Sequence, residues 1–197
     1  MCVQKTIVWL AGLLAAGCLT GCSIAWNDSH AKVQATTQQI SFQNRTDELV
    51  GPVDTKLDPT PVKQVDYTKI PVVDGEGRHV SLDARKQPVL FVAYWCPHCQ
   101  RTLKLLSQEF HSLKQKPILV CVGYSQGTTL RQAVAVQHQE QTALHLAAFQ
   151  VYYDLNPKAG DVYAPAGYPT LVYQANDQLL SLYGEHTAAI WRQVLRA

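Results

Sequence analysis

The apolar positions of this 197-residue chain change their period along its length. Ile7 to Leu19 form an apolar run behind a single charge, Lys5. The run is too short to span a bilayer comfortably but has the length of a signal-peptide core. From Ser23 to about Pro61 the chain turns polar, rich in Gln, Thr, Asp and Asn, with no sustained period of 2 or 3.6. Gly51–Pro52, Asp58–Pro59 and Thr60–Pro61 punctuate its end. This stretch predicts a flexible tether; about 40 residues of coil reach on the order of 35 Å.

From Val62 the pattern is regular. Val72–Val73, the turn residues Asp74–Gly75–Glu76–Gly77 and His79–Val80–Ser81–Leu82 predict a hairpin. Pro88 opens the unbroken run Val89–Leu90–Phe91–Val92–Ala93–Tyr94, which predicts a strand buried on both faces. Pro97 fits the first turn of a helix, and Leu103, Leu106, Phe110 and Leu113 place one apolar stripe along it. Ile118 to Val122 predicts a second buried strand. Thr128 and Thr129 are candidate caps for a helix to about Gln141, and Leu144, Ala147, Ala148, Val151 and Leu155 predict a further helical stripe. Thr170–Tyr173, a turn at Asn176–Asp177 and Leu179–Tyr183 predict a closing hairpin, and the last helix is expected over roughly Thr187 to Arg196. This order predicts an α/β fold: a central mixed sheet with helices on both faces.

Composition narrows the function. Hydrophobic residues make up 47% of the chain, enough for a packed core. The net charge is only +2, without a dense Lys/Arg stripe, so nucleic acid is not an expected partner. Of six cysteines, Cys2, Cys18 and Cys22 lie in the first 22 residues, Cys96 and Cys99 form a C-x-x-C pair, and Cys121 stands alone in an apolar strand, where an inert thiol is expected.

The pair sits where a buried strand gives way to a helix. There the unpaired N–H groups of the first turn and the helix dipole favour a thiolate on Cys96. Cys99, one turn inside, is expected to be more buried. Cys96 is therefore the expected attacking sulfur and Cys99 the resolving one. His98 between them is expected to stabilise the Cys96 thiolate further. A C-x-x-C pair can also be half of a zinc site, but no second C-x-x-C or H-x₃-H follows, so no metal and no cofactor are expected.

Two resemblances sharpen this reading. Leu19–Thr20–Gly21–Cys22 resembles the bacterial lipobox, and Cys18 is a weaker alternative because Ala15 stands where Leu is favoured. The match implies a lipoprotein signal peptide over residues 1–21, acylation of Cys22 and attachment to the outer face of a bacterial cell membrane, with several acyl chains giving stable anchoring. Residues 22–61 would then be the tether and residues 62–197 the domain. Val89 to Cys99 together with Gly167–Tyr168–Pro169–Thr170 resemble the thioredoxin fold. The Asp74–Gly75 hairpin, Val80–Ser81–Leu82, Trp95 and C-x-x-C make the frame similar to the membrane-anchored TlpA/ResA-like oxidoreductases.

That resemblance implies a helical insertion, for which residues 125–160 have the right length. It also implies that Pro169 is the cis-proline opposite the cysteines. Protein thiol or disulfide clients and a membrane redox partner are the partners implied, with Trp95, Tyr168 and Pro169 as the client surface. Pro97–His98 completes a Cys-Pro-His-Cys tetrapeptide that resembles DsbA-type oxidases, whereas the frame resembles the reductive group. The tetrapeptide tilts the direction slightly toward oxidation or isomerisation. Two departures stand out. Leu90 occupies the position six before the first cysteine where the family often has a buried acidic or amide residue, and Tyr168 is bulkier than usual before the proline. The expected function is an extracytoplasmic, lipid-anchored thiol–disulfide oxidoreductase. A redox-silent binding module and a copper-handling protein, for which soft thiolates are suited, are the alternatives.

Overall fold

A computed structural model describes residues 39–48 and 51–196. The leader, Cys22 and the first part of the expected tether lie outside the described residues. Eight strands form one sheet: β1 (Thr60–Pro61), β2 (Ile70–Val73), β3 (His79–Leu82), β4 (Val89–Val92), β5 (Ile118–Cys121), β6 (Val151–Tyr153), β7 (Thr170–Ala175) and β8 (Gln178–Tyr183). Their order across the sheet is β1-β8-β7-β4-β5-β6-β2-β3. β4, β5 and β6 run parallel, while β7 and β8 on one side and β2 and β3 on the other are antiparallel to their neighbours. Four helices cover it: α1 (Pro97–Gln108), α2 (Leu130–Leu144), α3 (Ala159–Tyr163) and α4 (Ala188–Val194). The expected α/β class, a central mixed sheet flanked by helices, is the one found.

The side-chain alternation of β4 builds both halves of the core. Leu90 and Val92 point to one face, where they meet Leu103 and Leu106 of α1, Ala133 and Val136 of α2 and Trp191 of α4. Val89 and Phe91 point to the other, where Tyr67, Ile70 and Ala159 cover them. All four residues of β4 are at most 1% exposed, which is why its sequence carries no polar alternation. The stripe of α1 runs past its end. The helix stops at Gln108, and Phe110 and Leu113 lie in the turns beyond, Leu113 still buried.

Two expectations need correction. The stripe from Leu144 to Leu155 is not a helix. His145 adopts a left-handed conformation (φ 52°) that ends α2, and Val151–Tyr153 becomes β6, paired in parallel with Leu119–Cys121. A three-residue strand has too few positions to show a period of its own, and its conformation is set by the neighbour that supplies its hydrogen bonds. The insertion is thus helix plus strand rather than purely helical. The last helix falls where expected, with Thr187 as its N-cap.

The second correction concerns the tether. The domain begins by Gln39, not at Val62. Ile40 and Phe42 pack on the core, and the Phe42 N–H donates to Gln139 Oε1 at 3.0 Å. Asp54 bridges to the segment beyond β8: its N–H donates to Glu185 O at 2.7 Å, and its carbonyl accepts from Thr187 N. Thr60–Pro61 then add to the edge of β8. A proline is tolerated there because an edge strand need not donate on both sides. These contacts are irregular, backbone to side chain or single bridges, so they leave no periodic signature in the sequence.

Candidate redox site

Cys96 is the N-cap of α1. Its backbone is extended (φ −86°, ψ 116°), and its Sγ accepts the Cys99 N–H at 3.4 Å, while Pro97 opens the helix where no N–H is required. Cys99 is fully buried, and its Sγ accepts the Ala93 N–H at 3.5 Å. Cys96 is 6% exposed, so of the two sulfurs it is the one that reaches the surface. Both are free thiols.

The two thiols are held apart in acidity. The Cys99 thiol, then the Cys99 N–H and the charge and N–H of His98, stabilise the Cys96 thiolate against burial and bring Cys96 down to about 7. Burial first, then the bond to Cys96, pushes Cys99 well above the ordinary thiol value. Cys121, buried in β5, is likewise pushed up by burial.

The Tyr168–Pro169 peptide is cis, and the Tyr168 carbonyl lies 3.7 Å from Cys96 Sγ. Trp95, 42% exposed, donates from Nε1 to Gly123 O at 2.9 Å and meets the Tyr168 ring edge-on at 5.9 Å. Tyr168 therefore packs within the domain and still fronts the cysteine. Its hydroxyl end occupies the space beside Gly160 of α3, where a Cβ would collide with it. Gly160→Ala is expected to displace the Tyr168 ring and cost about 1–3 kcal/mol of stability. Denaturant unfolding checks the second effect, and the accessibility of the Cys96 thiol to alkylation checks the first.

The sequence pointed to Trp95, Cys96, Pro97, His98, Cys99, Tyr168 and Pro169, and the fold brings all seven together. It did not single out five others. Gln100, fully buried, accepts the Arg45 N–H at 2.7 Å and donates to Gln43 O and Tyr94 O, pinning residues 43–45 to the end of β4. Arg45 donates to Trp95 O at 2.7 Å. Residues 39–45 thus form one wall of a groove whose other wall includes Tyr94 and Trp95. Arg101 and Glu185 bind each other and His98.

Glu140 on α2 is 2% exposed, and its Oε1 has no hydrogen-bond partner. Burial raises its carboxyl to about 8, and its charge acts on Cys99, Cys121 and Tyr124. One signal pointed to it: Glu140 lies in register with buried Ala133, Val136 and Leu144, a charged residue on an apolar stripe. Leu90 itself is core, fully buried in β4. Among the described residues no three His, Cys, Asp or Glu side chains converge as a metal-ligand set.

No protein-family model matches the chain, and no curated protein matches it. Among solved structures it is similar to StoA from Bacillus subtilis, with 18% identity over 64% of this chain and 96% of that one and a TM-score of 0.47. The exposed lipoprotein thioredoxin of Streptococcus pneumoniae is 19% identical over 64% of this chain and 97% of its own, TM-score 0.47. A thioredoxin-like protein from Porphyromonas gingivalis is 15% identical over 66% and 92%, TM-score 0.46. At these identities the likeness transfers no activity, and the chemistry is read from the site itself.

Proposed function

We propose that the protein is a thiol–disulfide oxidoreductase that exchanges disulfides with protein clients through Cys96 and Cys99. The observation that carries this reading is the asymmetry of the pair: a surface-reaching sulfur at a helix N-terminus with a thiolate near neutral pH, above a buried partner one turn away.

In the reducing direction the Cys96 thiolate attacks a client disulfide. A bond forms between Cys96 Sγ and one client sulfur, and the other client sulfur leaves as a thiolate and is protonated. Cys99 then loses its proton and attacks Cys96 Sγ. The Cys96–Cys99 disulfide forms, the first client sulfur leaves, and two electrons have passed to the client. Cys99 needs a base for this step because burial favours its neutral form. Glu140, buried on α2 and coupled by charge to Cys99, is assigned this role in place of Leu90; because it titrates near 8, its ionised minority is the form that accepts the proton at neutral pH. Trp95 and Tyr168 flank the attacking sulfur and offer the client an aromatic surface, with Pro169 behind them.

A cysteine titrating near 7 is about half thiolate at neutral pH, close to the optimum for an attacking thiol. Thioredoxin has a value of about 7, and the strong oxidant DsbA about 3.5. This supports reduction or isomerisation over strong oxidation, while the tetrapeptide tilts toward oxidation or isomerisation; isomerisation is the direction common to both. The disulfide left on Cys96–Cys99 is re-reduced by a dithiol partner in the membrane. Acylated Cys22 holds the domain outside the cytoplasm, at the membrane surface.

Insulin reduction by the purified protein tests the activity, with turnover expected under dithiothreitol recycling. Expression of Cys22→Ser in a bacterial host tests the anchor: the protein is expected to leave the membrane fraction, and retention there would remove Cys22 from the account.

A further inference from the structure

The upstream segment builds a feature beside the cysteines that the dithiol chemistry leaves unused. Between residues 39–45 and the chain just beyond β4 runs a groove of about 250 Å³. Gln39, Ser41, Gln43 and Arg45, every second residue, line one wall, while Phe42 turns to the core and Ile40 serves both. Tyr94 and Trp95 line the other wall, and Trp95 leads directly into Cys96.

One buried side chain holds the two walls together. Gln100, next to Cys99 on α1, accepts the Arg45 N–H at 2.7 Å and donates to Gln43 O at 2.9 Å. It thus pairs with the segment as a peptide group of a neighbouring strand would. Its second N–H goes to Tyr94 O at 2.8 Å. Arg45 adds a cross-tie, donating from Nη1 to Trp95 O at 2.7 Å. The walls are therefore set before anything enters, and binding need not order them. They are also fixed relative to the cysteines, because the ties are made by α1 and by the residues that precede Cys96.

Size and chemistry select the occupant. The groove lies below the range of about 300–1,000 Å³ typical of small-molecule pockets. The Gln amides and the Ser hydroxyl along it both donate and accept, which matches the N–H and C=O of an extended polypeptide. Among the described residues no carboxylate lines it. The Arg45 guanidinium is paired with Glu48, at 2.6 Å from Nε and 2.7 Å from Nη2. The groove therefore offers a charged side chain no unpaired counter-charge and suits an uncharged stretch.

We propose that this groove is a client-binding subsite, which takes an extended, uncharged stretch of the client chain adjoining the cysteine that Cys96 attacks. The inference rests on the reading of Cys96 and Cys99 as a redox dithiol. It gives the docked upstream segment a role, as a wall that reads the client beyond the surface of Trp95, Tyr168 and Pro169. Ser41 and Gln43 are its specificity-determining residues.

The test is single-turnover reduction, by the full-length purified protein, of uncharged peptides whose one cysteine is capped as its methyl disulfide. The shortest probe is the capped cysteine alone, and the others extend on either side by up to the length of residues 39–45. The released peptide thiol is counted by alkylation and mass. Extension on one side is expected to lower the half-saturating peptide concentration about tenfold, the scale of one or two net hydrogen bonds, with little change in the saturating rate. Ser41 and Gln43 are exposed, so Ser41→Trp and Gln43→Trp fill the groove without entering the core. In each, the advantage of the long peptide over the short one is expected to fall to within about twofold.

No length dependence in the wild type, or the wild-type ratio of long to short in both variants, overturns the inference while leaving the redox reading intact. Failure of the wild type to reduce any probe, the capped cysteine included, overturns the reading itself. Should the variants not fold, a photoreactive group in the longest peptide decides with the wild type: label on residues 39–45 supports the proposal, and label confined to other segments contradicts it.

Discussion

Cys99→Ser is expected to leave the protein locked to its clients. Its Cys96 thiolate still attacks, but no second sulfur one turn below can release the mixed disulfide, so covalent adducts through Cys96 accumulate. Cys96→Ser is expected to form no adduct and to lose catalysed exchange by about 10³-fold or more, the scale on which an activated nucleophile acts. The asymmetry follows from the geometry. Only Cys96 reaches the surface, and only its thiolate receives the N–H of the first helical turn. Non-reducing electrophoresis of each variant after incubation with an oxidised client, followed by mass mapping of the adduct, makes the comparison. Adducts forming through Cys99 in Cys96→Ser would reverse the assigned roles.

Glu140→Gln is expected to make the protein markedly more stable in alkali and hardly change it in acid. The native carboxyl titrates near 8, whereas in the unfolded chain it titrates near 4.5. Below the unfolded value both states hold the proton, and the buried group carries no penalty. As pH rises from about 4.5, the unfolded chain ionises while the native carboxyl cannot. The wild type therefore loses roughly 1.4 kcal/mol per pH unit relative to the variant, until the native group titrates near 8. Above that the difference levels off at several kcal/mol. Cys96, depressed in the native state, works in the opposite sense over a higher window but is common to both proteins and cancels. Urea unfolding from pH 4 to 9 measures the difference directly; parallel stability curves would show that Glu140 is not held protonated. A slower resolution step in Glu140→Gln, seen as a longer-lived mixed disulfide, is expected from the same residue's role as base.

An ionisable group kept in the core at such a cost is a common mark of a functional site. In the proposed mechanism it stands in for the acidic or amide residue that Leu90 replaces in β4, so that the base is supplied by the inserted helix. Here sequence reading had the means to succeed, since Glu140 falls in the apolar register of α2, but a single charge in a long amphipathic helix is easily taken as a solvated residue.

What the sequence revealed well is what local chemistry determines. The β4-to-α1 junction was legible because a short, β-branched apolar run bounded by Pro88 suits a buried strand and Pro97 suits the first turn of a helix. The β2–β3 and β7–β8 hairpins were legible from their turn residues. What it concealed depends on distant partners. β6 exists because Leu119–Cys121 offers it an edge. Residues 39–48 dock because Gln100, Gln139 and Arg101 present side chains to their backbone. Glu185 joins the site only because β8 delivers it beside His98, 87 residues away in sequence.

The central claim is that Cys96 and Cys99 cycle between dithiol and disulfide. The measurement that addresses it most directly is a redox titration of the purified protein in glutathione buffers, quenched by alkylation and read by peptide mass. A single two-electron transition is expected, with Cys96 and Cys99 joined in the oxidised form, Cys121 alkylatable only after unfolding, and a midpoint nearer the thioredoxin value of about −270 mV than the DsbA value of about −120 mV. Two thiols at Cys96 and Cys99 under every buffer, or a disulfide drawn to Cys121, would contradict the account.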